Sequence, residues 1–532
     1  MFLAISFPAI PTAMAATAET DFNGDGYADL AIGVPLEDVN GKADAGLVNV
    51  IHGSASGLSA TFTPDQRFFQ DYSVAGDASA NIRDSSEAGD HFAAAVAAGD
   101  FNKDGYSDLV IGVPEEDVGS IVDAGAINVI YGSATGLSPN VPVANQFWTQ
   151  DSPDVEDSAE AGDGFGASLA AGDFNKDGFS DLAVGVPNES INGHPGAGSV
   201  NILYGSPSGL SATATPDQRF FQDNPGLAYF SEDGDHYGAS VTSSDFNADG
   251  YYDLAAGVPG EDLGGIMDSG AISLIYGSPT GLSALSPIAD QLWSQDSAGT
   301  GGTAGENDRL GSALAVGNFN KDGYFDLAIG APGDSEGGGS GAINFLHGSG
   351  TGLAGASLLV TRDNFTQSGE CPASLGTTLS SGDYNADGFW DLAIGDPDSS
   401  SCASSASPGE LFVIYFGTTG VSSNTQFMQG LGKVGDTGRA LASADYNSDG
   451  FSDLATGSPI FSLATDPSCG AGCEPGPHVG HVGITFGSAT GLTLLFPSID
   501  SGLLKFDQHW TQNSPNVEDV AEDGDRFGSS LA

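Results

Sequence analysis

The sequence predicts an all-β fold: a seven-bladed β-propeller of four-stranded antiparallel blades, its ring closed by the C-terminal strand joining the first blade. Three observations carry that expectation. An acidic string, D-x-N-x-D-G-[aromatic]-x-D-L, recurs seven times with one substitution. Every copy is flanked by the same short apolar runs, bounded by Gly, Asp and Pro. The last nine residues supply a flank that the first copy lacks.

The strings begin at Asp21, Asp100, Asp173, Asp245, Asn318, Asp383 and Asp445, at spacings of 79, 73, 72, 73, 65 and 62 residues. Seven near-copies at such a period mean stacked or radial units. After each string an apolar run ends in G-x-P, as in AIGVP at 31–35 and AIGAP at 328–332. A second run follows, such as GAINVIYGS at 125–133, and closes on a G-L or G-V turn. A Gln- and aromatic-rich run often comes next, DQRFFQD at 65–71 and 217–223 or NQFWTQD at 145–151. Before most strings lies an F-G-x-S-L-A segment: Phe165-Gly166, Tyr237-Gly238, Leu310-Gly311 and Leu375-Gly376. It is modified to Phe92-Ala93 and weakest near Gly438. Runs of 4–8 residues rich in Val, Ile, Tyr and Phe between turn formers read as strands. No helix-length window shows a 3.6-residue apolar period. Four strands per unit, repeated radially, make a propeller. A β-helix is disfavoured because its coils repeat at much shorter periods.

The first string has no F-G segment before it, and the chain ends on GDRFGSSLA at 524–532. Phe527–Ala532 is therefore expected to form the innermost strand of the first blade. Closure removes the exposed edges of an open array.

An F-G-x-S-L-A segment and a G-x-P segment around a D-x-N-x-D-G-x-x-D loop resemble the FG-GAP repeats of the integrin α-subunit N-terminal β-propeller. They also look like the bacterial FG-GAP repeat proteins. The resemblance covers essentially all of 16–532. It implies seven blades, Ca2+ in the loops between strands 1 and 2 on the lower face, and ligand contact on the upper face. The leg domains and membrane span of integrin subunits are not in evidence in this sequence. Nor is the separate catalytic domain of the phospholipase D relatives that carry such repeats.

The loop chemistry suits that implication. Ca2+ is hard and takes six to eight oxygens. Positions 1, 3, 5 and 9 offer side-chain oxygens and position 7 a backbone carbonyl, while Gly at position 6 permits the sharp turn. The expected ligands are Asp21, Asn23, Asp25, Tyr27 and Asp29, then Asp100, Asn102, Asp104, Tyr106 and Asp108. Next come Asp173, Asn175, Asp177, Phe179 and Asp181, then Asp245, Asn247, Asp249, Tyr251 and Asp253. The fifth loop offers Asn318, Asn320, Asp322, Tyr324 and Asp326. The last two offer Asp383, Asn385, Asp387, Phe389 and Asp391, and Asp445, Asn447, Asp449, Phe451 and Asp453. Up to seven Ca2+ ions follow, the one at Asn318 held weakest because an amide replaces a carboxylate. Position 12 is never Glu, so these are not EF-hands. Repetition in every blade reads as structural bracing rather than calcium sensing.

Composition narrows the function. Against 70 Asp and Glu stand 13 Lys and Arg, a formal charge of −57. That repels a phosphate backbone and an anionic lipid surface. Residues 1–15 are apolar, uncharged and end in Ala13-Met14-Ala15, which reads as a signal peptide; 16–532 is then the propeller, secreted or at the cell surface. Four cysteines, Cys371, Cys402, Cys469 and Cys473, suit two disulfides in an exported chain. Three pairings exist, and placement on upper-face loops favours Cys371–Cys402 and Cys469–Cys473. Spacings of 31, 67 and 4 lack the paired C-x-x-C of a zinc knuckle.

On the upper face the acids are dense: Glu37, Asp38 and Asp44; Glu115, Glu116, Asp117 and Asp123; Glu261, Asp262 and Asp268. Connections between blades add Glu156, Asp157, Glu160 and Asp163, and Glu518, Asp519, Glu522, Asp523 and Asp525. Such a surface attracts cationic or metal-bridged ligands, or simply solvates the protein. No nucleophile elbow or isolated acid pair stands apart from the repeats, and His52, His347, His91 and His236 fall at repeat-equivalent places. The expectation is a non-enzymatic adhesion or interaction module with a protein or glycan ligand. A carbohydrate-binding propeller using Trp148, Trp293, Trp390 or Trp510 is the alternative, and a hydrolase or lyase a weaker one.

Overall fold

In the computed structural model the described residues are 20–61, 65–72, 82–140, 143–227, 229–285, 288–336, 341–365, 374–397, 409–422, 426–429, 436–460, 480–492, 507–517 and 521–532. The leader at 1–15, all four cysteines, Glu518 and Asp519 lie outside them.

Seven four-stranded antiparallel sheets form. The second blade runs, from inside outward, Ala95–Gly99, Asp108–Val113, Ala126–Ile130 and Gln146–Trp148. Innermost strands of successive blades pack side by side, and the circuit is complete. Those strands are rich in Ala, Ser, Gly and Thr, as AVAAG and TLSSG show, since seven of them converge on one axis. Second and third strands are buried, His347 at the end of Ala342–His347 being partly exposed. Each sheet is sandwiched between two others, so both of its faces are apolar. In the first blade Leu30, Ile32 and Val34 pack toward the seventh, whereas Ala31, Val48 and Val50 pack toward the second. The core therefore sits in the seams between blades.

The repeat segments make those seams. Phe92, Phe165, Tyr237, Leu310, Leu375, Thr437 and Phe527 are all buried. Six of them pair in parallel with the glycine that opens the third strand of the preceding blade, as Phe92 does with Gly46. The next residue turns its carbonyl onto the glycine of G-x-P. A Cβ on Gly33 would lie 2.3 Å from Ala93 O, one on Gly257 2.1 Å from Gly311 O, and one on Gly457 2.2 Å from Gly528 O. Even the weak sixth copy obeys: Gly395 abuts Gly438 O and Gly409 pairs with Thr437. Gly257→Ala is expected to destabilise by about 1–3 kcal/mol, the usual range for overpacking a fixed backbone contact. Gly417→Ala, with nothing within 4 Å of its Cβ, is the neutral control. Equal thermal midpoints for the two variants would refute this account of the seam.

The C-terminal strand closes the ring. Ser530–Leu531 pairs antiparallel with Gly33 and Ile32 of the first blade. Ala31 and Ala532 exchange N–H···O bonds of 2.8 and 3.1 Å. Phe527 plugs the seam at Gly480, and Ser530 Oγ donates to Ala93 O of the second blade at 2.7 Å.

At five of the seams, side chains of the Gln/aromatic run tie one blade to the next at two heights. The first Gln reaches the G-L turn: Gln66 Nε2 donates to Leu137 O at 2.8 Å, Gln146 to Leu210 O at 3.0 Å and Gln508 to Leu58 O at 3.1 Å. The second Gln is buried and donates to an acid of the next blade. The pairs are Gln70–Glu116, Gln150–Glu189, Gln222–Glu261, Gln295–Asp334 and Gln512–Glu37. Between the fifth and sixth blades Arg362 does this work, clamped on Asp396 and Glu410 and stacked on Phe412.

Candidate metal centre

Each acidic string becomes the turn from an innermost strand to the second strand. In the second blade it follows Gly99 and ends at Asp108, the first residue of Asp108–Val113. Phe101 is buried and anchors the turn, its N–H on Asp108 Oδ2 at 2.9 Å. Lys103 and Gly105 take φ of +58° and +91°, which turns successive N–H groups inward. Asp100 accepts from Asp104 N at 3.0 Å and Gly105 N at 2.9 Å; Asn102 Oδ1 accepts from Asp104 N at 2.9 Å. Asp104 Oδ1 accepts from Tyr106 N at 3.1 Å. The same pattern holds in the first, third, fourth, sixth and seventh loops.

The ninth residue differs from the rest. Asp29, Asp108, Asp181, Asp253, Asp326, Asp391 and Asp453 are completely buried. Asp108 accepts Gly132 N at 2.8 Å with its other oxygen, so it pins the turn to the third strand as well. Burial pushes Asp108, Asp181, Asp253, Asp391 and Asp453 up to about 8, with the first and fifth acids of the loop adding repulsion. Burial also raises Asp100, Asp173, Asp245 and Asp383. An all-oxygen donor set crowded with like charge suits a hard divalent cation. Such an ion would draw on oxygens that backbone N–H groups now hold.

The fifth loop departs as its sequence does. Asn318 Oδ1 accepts Asp322 N at 3.1 Å, and Asn320 turns its Nδ2 onto Asp322 Oδ2 at 3.0 Å. His347 Nδ1 stands 3.3 Å from Asp326, which raises the imidazole pKa. His52 stands likewise 3.0 Å from Asp29. Both histidines replace a Tyr of the Y-G-S run, so they carry a loop contact that packing alone did not suggest.

Neighbouring loops are joined. Lys103 Nζ donates to Asp177 O and Lys176 Nζ to Asp249 O, each at 2.7 Å, and Lys321 reaches Asp387 O. Each ammonium also lies 5.0–5.2 Å from the centroid of an aromatic ring in the next loop, Phe179, Tyr251 or Phe389. Ser107 N and Ser180 N reach back to Asp21 O and Asp100 O. Sequence reading within one repeat misses these contacts, because each one crosses to the next repeat.

On the opposite face the acids divide into two sets. Asp38, Asp117 and Asp262 shape exposed turns by accepting from Asp44, Asp123 and Asp268 N–H groups. Glu37, Glu116, Glu261, Asp163 and Asp525, read from sequence as part of a solvated face, are buried. Among the described residues, Glu160, Asp163 and Glu189 bring three carboxylates within 4.8 Å of one another; no loop triplet does so. Arg219 pairs with Glu189 at 3.1 Å and with Asp157, so that cluster already has a counter-charge. The four tryptophans do not gather. Trp148, Trp293 and Trp510 lie on outermost strands of three blades, and Trp390 packs on Phe325 in the sixth lower loop.

The family described as FG-GAP repeat matches residues 14–51, 92–130, 165–203, 237–275, 310–343 and 437–472. Phosphatidylinositol-glycan-specific phospholipase D of Rattus norvegicus is 30% identical over 185 residues, 35% of this chain and 20% of that protein. Integrin alpha-PS2 of Drosophila melanogaster is 28% identical over 272 residues, 50% of this chain and 17% of that protein. The chain thus spans a fifth or less of the length of these relatives. The periplasmic gluconolactonase of Pseudomonas aeruginosa aligns over 84% of this chain and 94% of its own at 12% identity, with a TM-score of 0.37. Six matched repeats, on a ring whose seams are made by the F-G and G-x-P segments themselves, and the similarity to integrin α subunits support an FG-GAP, integrin-α-like propeller.

Proposed function

We propose that this propeller is an exported, calcium-braced adhesion or interaction module that binds a protein or glycan partner on its upper face. The observation that supports it is the contrast between the two faces. Below, the loops are linked to one another through lysine side chains and backbone hydrogen bonds. Above, Val122 and Met267 at the tips of strand 2–3 loops, and Tyr229 and Phe230 in a blade connection, stand 49–80% exposed among acids. Apolar side chains rimmed by charge mark interaction surfaces.

Ca2+ fits the lower loops by donor type, with up to seven sites and the Asn318 loop weakest. When bound it supplies the positive charge that each crowded loop lacks. Residues 1–15 serve as the export leader of a propeller spanning 16–532, and the four cysteines form the two disulfides expected in an exported chain. Among the described residues no helix is long and apolar enough to cross a membrane.

The test is capture by immobilised protein from panels of matrix proteins and glycans, with and without chelator. A protein ligand should lose about tenfold or more in affinity when Phe230 and Met267 are both replaced by Ser. Glycan capture that survives those changes but fails in Trp148→Ala would favour the carbohydrate reading. Turnover of a phosphoester or polysaccharide in the same panel would overturn the non-enzymatic one.

A further inference from the structure

Five of the seams bury an amide against a carboxyl group, and in all five the amide oxygen has no partner. Gln70, Gln150, Gln222, Gln295 and Gln512 are at most 2% exposed, and each donates its Nε2 to an acid. Each leaves Oε1 buried and unbonded. A buried acceptor without a donor is destabilising, so five repeats of one omission call for a physical cause.

The cause is clearest where no basic side chain stands by. Glu189 has Arg219, but among the described residues no ion pair is made by Glu116 or Glu261. Glu116 shares a side-chain hydrogen bond with Asp84, which two carboxyl groups can make only if one of them holds a proton; Asp90 of the same connection also faces it, with Glu87 and Asp117 behind Asp90. Glu261 faces Glu232 and Asp235 of its own connection and Asp262 of its own loop; His194 lies beyond Asp235. Among the described residues, the groups that most affect either carboxyl are acids and the amide. An ionised carboxylate there would be buried among like charges and beside an unpaired oxygen.

We propose that the seams entering the second and fourth blades are proton latches: Glu116 and Glu261 hold a proton and donate it to the side-chain oxygens of Gln70 and Gln222. Amide N–H to carbonyl and acid O–H to amide oxygen then close a ring of two hydrogen bonds, and the orphaned acceptor is satisfied. Burial pushes Glu261 up to about 8, and burial followed by Asp84 and Asp90 raises Glu116 as well. A carboxyl raised in the folded state adds stability below its folded value and loses it as pH rises through the window. Deprotonation loosens the two seams at their upper edge, where the connections to blades 2 and 4 start. Mild alkalinity therefore opens the face opposite the metal loops.

The experiment is urea unfolding of the full chain in saturating Ca2+, which keeps the lower loops out of the titration. For the parent, the folded-to-unfolded ratio should fall by up to about tenfold per pH unit for each latch between about pH 5 and pH 8. Glu116→Gln with Glu261→Gln supplies a permanent N–H donor to each orphaned oxygen and should remove that part of the slope. Parallel profiles for parent and variant overturn the proposal. Infrared spectroscopy gives a reading that does not depend on the variant folding. The parent at neutral pH should show a protonated-carboxyl stretch that disappears on alkaline titration, and its absence in the folded parent also overturns the proposal.

Discussion

Removing residues 524–532 should destabilise the propeller by more than about 4 kcal/mol, read as a shift of the urea midpoint at constant slope. The figure follows from what the segment does. Phe527 is fully buried, and truncating a buried Phe alone costs about 3–5 kcal/mol. The deletion also takes the carbonyl that packs on Gly457 and the strand that pairs with Gly33 and Ile32. It leaves the second strand of the first blade with an open edge, a template for association between chains. Phe527→Ala should reproduce most of the loss without the aggregation. A truncated chain that melts like the parent would show that the ring does not depend on its last strand.

Stripping divalent cations should lower the thermal midpoint by on the order of 10 °C. One site at a thousand times its Kd contributes about 4 kcal/mol, and a large domain moves roughly 2 °C per kcal/mol. The pH dependence gives the sign. Without metal, burial holds Asp108, Asp181, Asp253, Asp391 and Asp453 at about 8 in the fold, against roughly 4 when unfolded. The metal-free protein must then lose stability as pH rises from about 4 to about 8. Bound Ca2+ favours the ionised form, so the gap between metal-bound and metal-free midpoints should widen across that window. Asn318→Asp should add to the gap by completing the fifth loop. Coincident melting curves at pH 8 with and without chelator would remove calcium from the account.

The seven acidic turns, the strands around them and the closing segment were legible because each is a local pattern repeated in register. Burial on both faces of the middle strands followed from their unbroken apolar runs. What escaped notice joins one repeat to the next. Gln70 meets Glu116 and Gln512 meets Glu37 across 46 and 475 positions, a relation no single unit contains. Lys103, at a variable place in its loop, gains meaning only from the carbonyl of Asp177. The buried acids were misread for a different reason. In a chain of such negative charge, Glu116 and Glu261 look like more solvent-facing carboxylate, and only packing separates them from Asp117 and Asp262. Thr437-Gly438 stands where an F-G pair belongs, and it is recognisable through Gly409 and Gly395, its neighbours in space.

The way the ring is closed sets how a pulling force would be carried. Polypeptide crosses from each of the first six blades into the next, so tension there is borne by covalent bonds. At the remaining joint the crossing segment is Ser530–Leu531, held to its sheet by a few backbone hydrogen bonds at Ala31 and Gly33. Under a pulling force that joint, held by hydrogen bonds alone, is expected to slip first and spare the other six wedges.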